Sequence, residues 1–393
     1  MSQHRKFCMR AVVTGMVVTY PVGGVAWDYL QYALGLEQLG FEVYYLEDTG
    51  KPVYHVERRD YVEDCSYGVP FLQKSLAALS PKLAERWHFR NLDGQTFGLD
   101  ADTMADIVAG SDLFLNVSGG TLLRDAWMTC RNKVLIETDP GWNHFVNFPN
   151  ADAKPGWLGS HGWRAHDHFF SYAERIGRPD CLLPSLGIDW RSTRPPVVLD
   201  LWRPAPPGEA WTTVMTWDNF RQPIEGDGRI YGTKELEFTQ IESLPRQVTA
   251  RLEVAAGGKP PRDRWQELGW SVIDSHAVST TPDAYRDYIQ QSRGEFSVAK
   301  NVYVATRCGW FSCRSVCYLA SGRPVVVQDT GFSERIPTGE GLLAFTDAKS
   351  AASALESVER DYERHQPAAR ELARTHFSSE VVLGGLLDRI GLG

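Results

Sequence analysis

Residues 307–333 constrain the fold of this chain more than any other segment. Gly309 opens a turn, and Ser312 stands where a helix is predicted to begin, so the first N–H groups of that helix lack partners within it. Gly322 is predicted to end the helix, and the apolar residues 324–327 are predicted to form a short buried strand. This succession of turn, helix and strand is typical of α/β proteins, and the helix N-terminus is a favourable place for an anion.

The residues after that strand form the second part of the predicted site. Asp329 follows the strand closely, and Gly331 and Phe332 come next. Because ligands of open α/β sheets bind at the carboxyl ends of the strands, we expect these residues to lie near the same ligand as Ser312. The pattern therefore predicts one binding site built from two segments of sequence.

The two segments resemble the donor-binding domain of the GT-B glycosyltransferases. Residues 308–312 are similar to the glycine-serine turn that holds the donor diphosphate in that superfamily, and residues 321–326 are similar to its G-x-P-V strand. The resemblance implies an α/β fold of two Rossmann-like, doubly wound domains that face a cleft. It also implies a metal-independent enzyme without a cofactor, in which Gly309 and Ser312 hold the phosphates of a nucleotide-sugar co-substrate. The residues that it assigns to the sugar pocket are Asp329, Gly331 and Phe332.

The chain departs from the family pattern at the position that binds the ribose. Many GT-B enzymes carry a glutamate five residues before the G-x-P glycine, and a retaining subgroup carries another glutamate eight residues earlier. Cys317 and Gly309 stand at these two positions. When the segment is aligned from its other end, the ribose position is Ser315. A catalytically silent protein that binds a nucleotide and a partner protein is therefore an alternative function, and a GT-B-fold epimerase is another.

A bound diphosphate is expected to draw basic side chains from neighbouring strand ends. Arg221 follows the first predicted strand of the second domain, Lys234 lies in a turn before a helix, and Arg307 precedes the glycine turn. In the family that the chain resembles, an arginine and a lysine in this region neutralise the leaving diphosphate. Lys300 is a further candidate, with Glu295 as its predicted salt partner. The alternative interpretation is that these are solvated surface cations.

A polar loop in the first half of the chain, residues 137–144, supplies the predicted catalytic groups. Asp139 and His144 carry a carboxyl and an imidazole five residues apart, and such groups can activate or orient an acceptor hydroxyl. The alternative interpretation is structural, with Asp139 capping a turn and His144 packing against Trp142.

The loop after the first predicted strand contains Gly23 and Gly24, and the second strand ends in Glu47 and Asp48. Glycines and an acid in these places also occur in dinucleotide-binding domains, so an NAD-dependent Rossmann enzyme is a further alternative. The G-x-G-x-x-G spacing is absent. This favours the GT-B interpretation, in which the same loop touches donor and acceptor.

Two clusters of residues raise the question of a bound metal. The three cysteines within residues 308–317 are separated by steps of five and four, which differ from the C-x2-C spacing of zinc sites. The three histidines within residues 161–168 lack a matching set of acids and cysteines nearby. We therefore expect no metal at either cluster.

The length and the net charge of the chain limit its possible domain organisation and its possible partners. A chain of 393 residues with 43% hydrophobic content can build two cores, and the prolines among residues 195–207 indicate a boundary. We predict an acceptor-side domain over residues 1–195, a donor-binding domain over 196–376, and a helix over 377–393 that crosses back to the first domain. A net charge of −8 without long basic runs argues against nucleic acid as a partner.

The compartment is predicted from segments and cysteine usage. No segment is apolar over enough residues to span a membrane, and the N-terminus lacks the pattern of a signal peptide. Seven scattered cysteines in a chain of this length are typical of a reducing compartment. We therefore expect a cytoplasmic glycosyltransferase without an integral membrane segment. Its expected partners are a nucleotide sugar and a small-molecule or macromolecular acceptor with a hydroxyl or amine group.

Overall fold

The computed structural model describes residues 8–217 and 223–393 of the chain. Proximity of Cα atoms divides the chain into two compact units. The segments of the first unit are Met1–Glu137, Asn150–Phe170 and Leu383–Gly393. The segments of the second unit are Thr138–Pro149 and Ser171–Val382. The predicted boundary after residue 195 stays a prediction, because grouping by proximity does not show which fragment folds alone.

The first part of the chain alternates strands and helices. Its strands are β1 (Arg10–Thr14), β2 (Glu42–Glu47), β3 (Val53–His55), β4 (Asp60–Val62), β5 (Trp87–Arg90), β6 (Thr96–Gly98), β7 (Leu113–Val117), β8 (Lys133–Glu137), β9 (His168–Ser171) and β10 (Arg191–Ser192). Its helices are α1 (Gly23–Gln38), α2 (Gly68–Leu79), α3 (Ala101–Ala109), α4 (Pro140–Trp142) and α5 (Phe148–Ala153).

β1 is the central strand of the sheet in the first unit. It pairs in parallel with β2 on one side and with β7 on the other, and β5 and β8 continue the sheet in parallel beyond them. This is the strand order of a doubly wound fold, with its switch point between β1 and β7. β7 and β8 are buried along their whole length, as expected for parallel strands that are covered on both faces.

The second part of the chain repeats the alternation. Its strands are β11 (Ala210–Thr216), β12 (Ile224–Gly226), β13 (Arg229–Tyr231), β14 (Arg251–Gly257), β15 (Ser271–Asp274), β16 (Gly294–Ser297), β17 (Val325–Gln328) and β18 (Leu342–Phe345). Its helices are α6 (Lys234–Ile241), α7 (Arg262–Glu267), α8 (Pro282–Gln290), α9 (Asn301–Ala305), α10 (Cys313–Ala320), α11 (Ala348–Arg360), α12 (Tyr362–His376) and α13 (Ser379–Ile390). Among the described residues, none of the helices has both the length and the apolar character needed to cross a bilayer.

β11 is the central strand of the sheet in the second unit. The strand order is β15-β14-β11-β16-β17-β18, and each neighbouring pair is parallel. The switch point lies between β11 and β16, where the strand order reverses. The predicted α/β class with doubly wound parallel sheets is therefore confirmed.

Most predicted elements lie close to the observed ones, and one region differs. The strand predicted over residues 324–327 corresponds to β17, and the helix predicted over residues 377–393 corresponds to α13. The aromatic and charged composition of residues 53–93 predicts helices inserted between strands. The segment contains α2, and it also contains the hairpin β3–β4 and the strand β5. Aromatic residues such as Tyr54 and Tyr61 favour strands, and the helix prediction gave this preference too little weight.

Candidate functional site

A pocket in the second unit lies at the carboxyl ends of β16 and β17, beside the N-terminus of α10. This position is next to the switch point of the sheet, where doubly wound folds bind their ligands. The lining residues are Ser297, Val298, Ala299, Trp310, Phe311, Ser312, Arg314, Ser315, Val327, Gln328, Thr330 and Phe332. The structure therefore brings together Ser312 and Phe332, two residues of the predicted site.

Ser312 is the N-cap of α10. Its Oγ accepts a hydrogen bond from the backbone N–H of Arg314 at 3.3 Å, and its own backbone is extended, with φ −78° and ψ 134°. The first turn of a helix carries orphan N–H groups and the positive end of the helix dipole. The pocket therefore presents donors and a partial positive charge to an anion.

Arg314 places a neutralised cation in the wall of the pocket. Its guanidinium donates to Glu295 Oε1 at 2.6 Å, to Ser297 Oγ at 2.6 Å and to the carbonyl of Val214 at 2.9 Å. Burial opposes this charge, but the buried carboxylate of Glu295 outweighs it and holds the pKa of Arg314 above its usual value. The sequence analysis missed this residue, although it lies inside the motif.

Lys234 is a buried cation without such a partner. It begins α6, its side chain is 9% exposed, and no carboxylate among the described residues forms an ion pair with it. Burial, and then the charges of Arg314 and Lys300, hold the pKa of Lys234 well below its usual value. The structure thus places this predicted residue near the pocket wall. Arg221, the other predicted cation of the region, lies outside the described residues.

Lys300 and Asp139 form an ion pair in the second unit. The Nζ of Lys300 donates to Asp139 Oδ2 at 2.6 Å, and the hydroxyl of Tyr303 donates to Oδ1 at 2.6 Å. Asp139 also caps α4 through the backbone N–H of Trp142 at 3.5 Å. Glu295, the predicted partner of Lys300, pairs with Arg314 instead. The catalytic role of Asp139 stays a prediction, and its observed contacts are those of a residue that orients Lys300.

His144 is fully buried and packs against aromatic rings. Its Nδ1 lies 2.7 Å from the carbonyl oxygen of Pro184, and its ring centre lies 5.0 Å from that of Trp190 and 5.8 Å from that of Phe148. Burial lowers the pKa of His144 to about 4, so the imidazole is neutral at pH 7 and Nδ1 donates its proton to the carbonyl. The catalytic role predicted for His144 is untested, and this environment favours the structural interpretation.

Arg307 does not line the pocket. Its half-exposed guanidinium pairs with Asp180 at 3.1 Å and with Glu334 at 2.8 Å. The same two carboxylates pair with Arg175, whose side chain is 3% exposed. Two arginines and two acids balance, so this cluster has no excess positive charge to offer a phosphate. The phosphate role predicted for Arg307 is therefore not favoured.

Gly309 and Gly331 are required by backbone conformation and by a neighbouring side chain. Their φ angles are +80° and +93°. A Cβ at Gly309 would lie 2.9 Å from Cγ of Arg175, and a Cβ at Gly331 would lie 2.8 Å from Cδ of the same residue. The phosphate contact predicted for Gly309 stays a prediction, and Arg175 lies beside this glycine in the structure. No motif in the sequence points to Arg175.

Asp329 stabilises the turn that follows β17. Its Oδ1 accepts the backbone N–H groups of Gly331 at 2.8 Å and Ser333 at 3.3 Å, and its Oδ2 accepts the hydroxyl of Ser333 at 2.7 Å. The carboxylate is thus engaged within the turn, as aspartates commonly are. A direct contact of Asp329 with a sugar stays a prediction, while the geometry gives Asp329 the role of shaping the turn.

Gly23 and Gly24 form the first turn of α1 in the first unit. The loop before them folds over the buried carboxylate of Glu47, which accepts two of the loop's backbone N–H groups at 2.7 and 2.9 Å. Asp48 is buried and paired with Arg124, whose Nη2 donates to it at 2.9 Å. Both acids are occupied and the loop donors are engaged, so this geometry argues against a dinucleotide site.

The histidines and cysteines that raised the question of a metal have other contacts. His161 lies 2.7 Å from Asp125, and His166 is buried with its Nδ1 2.7 Å from the carbonyl oxygen of Trp163. Burial lowers the pKa of His166 to about 4. In the described parts of the chain, no group of three His, Cys, Asp or Glu residues could hold a metal ion, and the seven cysteines are free thiols.

Comparison with known proteins identifies the fold. No family model and no curated protein matches the sequence. An α-glucosyltransferase solved with UDP and a 13-mer DNA gives a TM-score of 0.57 at 11% identity, over 98% of this chain and 100% of that one. AviGT4, a glycosyltransferase of avilamycin A biosynthesis, gives 0.53 at 14% identity, over 97% and 96%. The chain has the GT-B fold.

Another GT-B structure also matches this chain over nearly its whole length. HepE from Anabaena, solved with UDP-glucose, gives a TM-score of 0.53 at 10% identity, over 98% of this chain and 99% of that one. The resemblance to GT-B proteins is thus confirmed at the level of the fold. Because the identities are this low, the chemistry of the site has to be argued from the residues of this chain.

The two positions that align with the ribose glutamate of the resembled family differ in location. Ser315 lines the pocket, whereas Cys317 is buried inside α10 with its Sγ 3.3 Å from the carbonyl oxygen of Cys313. A ribose contact at either position stays a prediction. Neither position carries a carboxylate.

Proposed function

We propose that the protein is a glycosyltransferase that binds the diphosphate of a nucleotide sugar in the pocket at the N-terminus of α10. One observation carries the proposal: the pocket wall contains Ser312 and Arg314, and the buried amino group of Lys234, whose charge interacts with that of Arg314, forms no ion pair among the described residues. Burying a charge without a partner is costly, and a diphosphate is a ligand that offsets this cost. The GT-B fold supports the same chemistry.

Glycosyl transfer requires the site to stabilise a leaving group. When the acceptor oxygen or nitrogen bonds to the anomeric carbon, the bond from that carbon to the diphosphate oxygen breaks, and negative charge grows on the diphosphate. Donors that are already oriented toward the developing charge lower the barrier without reorganising. We propose that Lys234 supplies the charge and that Ser312, Arg314 and the first turn of α10 supply the hydrogen-bond donors. Because these groups can neutralise the diphosphate themselves, we propose a metal-independent reaction.

Asp139 takes part indirectly in this proposal. Its carboxylate holds the ammonium of Lys300, and Lys300 in turn acts electrostatically on Lys234. We propose that Asp139 holds Lys300 in place near Lys234 and thereby acts on the pocket by position and not by adding charge. An exchange of Asp139 for Asn is expected to weaken donor binding without abolishing it.

A catalytically silent nucleotide-binding protein is the second candidate function. The observation that favours it is the missing ribose carboxylate, since Ser315 lines the pocket and Cys317 is buried. In that case the same pocket binds a nucleoside diphosphate, and the protein acts by presenting the bound state to a partner protein.

Release of nucleoside diphosphate tests the two candidates. Purified protein is incubated with UDP-, GDP-, ADP-, dTDP- and CDP-sugars, with water and simple sugars as acceptors. We expect one donor to yield its nucleoside diphosphate, and K234M to lower that rate by about tenfold or more, since a hydrogen bond to a charged group contributes about 1.5–3 kcal/mol. Binding without release favours the silent protein. Neither binding nor release would sink the proposal.

A further inference from the structure

We infer that Arg175 is a positioning residue of the pocket, which holds in place the two turns that carry Ser312 and Phe332. The glycine turn comprises residues 307–312, and the strand-end turn comprises residues 329–334. The inference rests on the proposed function for the identity of the ligand. Its structural basis lies entirely within the second unit.

Backbone hydrogen bonds connect Arg175 to the glycine turn and this turn to the strand-end turn. The N–H of Arg175 donates to the carbonyl of Cys308 at 3.0 Å. The N–H of Gly309 donates to the carbonyl of Thr330 at 2.9 Å, and the hydroxyl of Thr330 donates back to the carbonyl of Trp310 at 2.6 Å. The position of one turn therefore fixes that of the other.

The aliphatic stem of Arg175 fills the space between the two glycines. Both glycines approach the stem so closely that a Cβ on either would come within 3 Å of it. The stem of Arg175 therefore packs against the glycine turn on one side and against the strand-end turn on the other. Removal of the stem leaves a gap into which the turns can collapse. The distance between the turns thus depends on this side chain as well as on the hydrogen bonds that link them.

The guanidinium of Arg175 belongs to a network of four charged side chains beside the same turns. It pairs with Glu334 of the strand-end turn and with Asp180. Arg307 of the glycine turn pairs with the same two acids from the other side. Without Arg175, the half-exposed Arg307 is the cation that still pairs with the two carboxylates within the described part of the chain. The strand-end turn then loses a charged contact, and both turns lose a packing contact.

The consequence for the ligand is indirect. Arg175 does not line the pocket, whereas the two turns that it holds supply Trp310, Phe311, Ser312, Thr330 and Phe332 to the lining. Displacement of binding groups by about 1 Å can cost two orders of magnitude in a preorganised site. Loss of Arg175 therefore weakens nucleotide binding without removing any atom that touches the ligand.

The test compares R175M with a matched control. R293M removes another arginine of the same unit, which pairs with Glu359 at 2.7 Å and precedes β16 at the opposite end of the sheet from the pocket. Three quantities are measured for each variant: the Kd for UDP, the thermal midpoint, and amide hydrogen exchange in residues 308–312 and 330–334.

For R175M we expect a Kd for UDP raised by about tenfold or more and faster exchange in both turns. For R293M we expect a lowered thermal midpoint with unchanged UDP affinity and unchanged exchange in the turns. R175M keeps most of the stem and loses the charge, whereas R175K keeps the stem and one positive charge, so the affinity of R175K is expected to fall between that of the wild type and that of R175M. Equal UDP affinity in R175M and R293M, or unchanged exchange in both turns, would overturn the inference.

The design separates this inference from the proposed function. If the wild type does not bind UDP, the exchange measurement alone decides about Arg175, because it needs no ligand. If R175M does not fold, R175K decides, and unchanged UDP affinity together with unchanged exchange in both turns would then refute the positioning role.

Discussion

At the scale of single residues, the site is defined by which buried charges are neutralised. Arg314 has Glu295 as a partner, whereas Lys234 faces Arg314 and Lys300 and has no carboxylate partner among the described residues. The low effective dielectric of the protein interior makes the energetic difference between a paired and an unpaired buried charge large. Lys234 is therefore the residue whose protonation an anionic ligand changes most.

Proton uptake is the first prediction. The pKa of Lys234 is held well below its usual value by burial and by its cationic neighbours, and a bound diphosphate raises it. Between the two pKa values, binding takes up a proton, so affinity falls as pH rises through this window. Titration calorimetry with a nucleoside diphosphate in buffers of different ionisation enthalpy measures the uptake. In K234M we expect both weaker binding and a smaller uptake. An unchanged uptake in K234M would show that another group titrates.

His144 gives the second prediction, on stability. Burial lowers its pKa from 6.5 to about 4, so between these values the unfolded state binds a proton that the folded state does not. The free energy of unfolding contributed by His144 therefore falls as pH drops from 6.5 to 4, by up to about 3 kcal/mol. In H144N, denaturant unfolding at several pH values should show a lower stability at pH 7 and a weaker decline toward pH 4. A decline identical to that of the wild type would contradict the neutral, buried imidazole.

Single residues of the site were predictable where they belong to a sequence motif. They were not predictable where only the packing of the folded chain brings them to the site. Ser312 and Phe332 belong to a pattern of turn, helix and strand, and the structure places both in the pocket. Arg175 lies far from that pattern in sequence and acts through space, so only the fold reveals it. Glu295 was assigned to the wrong cation because sequence proximity favours Lys300, whereas the sheet places Glu295 next to Arg314.

At the scale of elements, the loop after β1 shows how one acid can determine a loop. Glu47 ends β2, is fully buried, and accepts the backbone N–H groups of Val18 and Thr19 as well as the hydroxyl of Tyr45 at 2.8 Å. The loop that precedes Gly23 is thereby shaped by a side chain of the neighbouring strand. A carboxylate takes the donors that a phosphate uses in dinucleotide-binding domains.

Removal of this carboxylate is the third prediction. E47A leaves two buried N–H groups without an acceptor and creates a cavity, so we expect the free energy of unfolding to fall by about 3 kcal/mol or more. E57A removes an exposed glutamate of the same unit and should change stability by less than about 0.5 kcal/mol. Urea unfolding of both variants checks the difference. Equal stability of the two variants would mean that Glu47 does not hold the loop.

The parallel strands were predictable because they are short apolar runs between turn residues, and the runs at β7, β8 and β17 are all buried. The sequence predicted less well which strands pair with each other. The hairpin β3–β4 has strands of three residues in which Val53 is buried and Asp60 and Tyr61 are exposed, so its hydrophobic pattern is weak.

At the scale of the whole molecule, the two compact units are discontinuous in sequence. The second unit includes residues 171–195, which the sequence analysis placed in the first domain. Leu182 donates its N–H to the carbonyl of Thr306 at 3.0 Å, and Leu183 packs in one apolar cluster with Val302 and Tyr303. Proline-rich sequence marks a boundary well, but it does not reveal a segment that precedes the prolines and packs with the residues after them.

Fragments provide the fourth prediction. A fragment of residues 171–382 retains Arg175 and the cluster around Leu183, and a fragment of residues 196–376 loses both. We expect the longer fragment to melt higher by roughly 5 °C or more, because loss of a few kcal/mol shifts the midpoint by about 2–4 °C per kcal/mol at this size. Thermal melts followed by circular dichroism measure this. Equal midpoints would support the boundary after residue 195.

The central claim is that the pocket of the second unit binds a nucleoside diphosphate, and a thermal-shift panel of UDP, GDP, ADP, dTDP, CDP and NAD tests it most directly. A ligand that binds only the native state at about 100 times its Kd adds about 2.7 kcal/mol of stability, so the midpoint must rise. We predict that one nucleoside diphosphate raises the midpoint of the wild type and that K234M loses most of this rise. No rise with any nucleoside diphosphate, a rise with NAD alone, or an undiminished rise in K234M would contradict the claim.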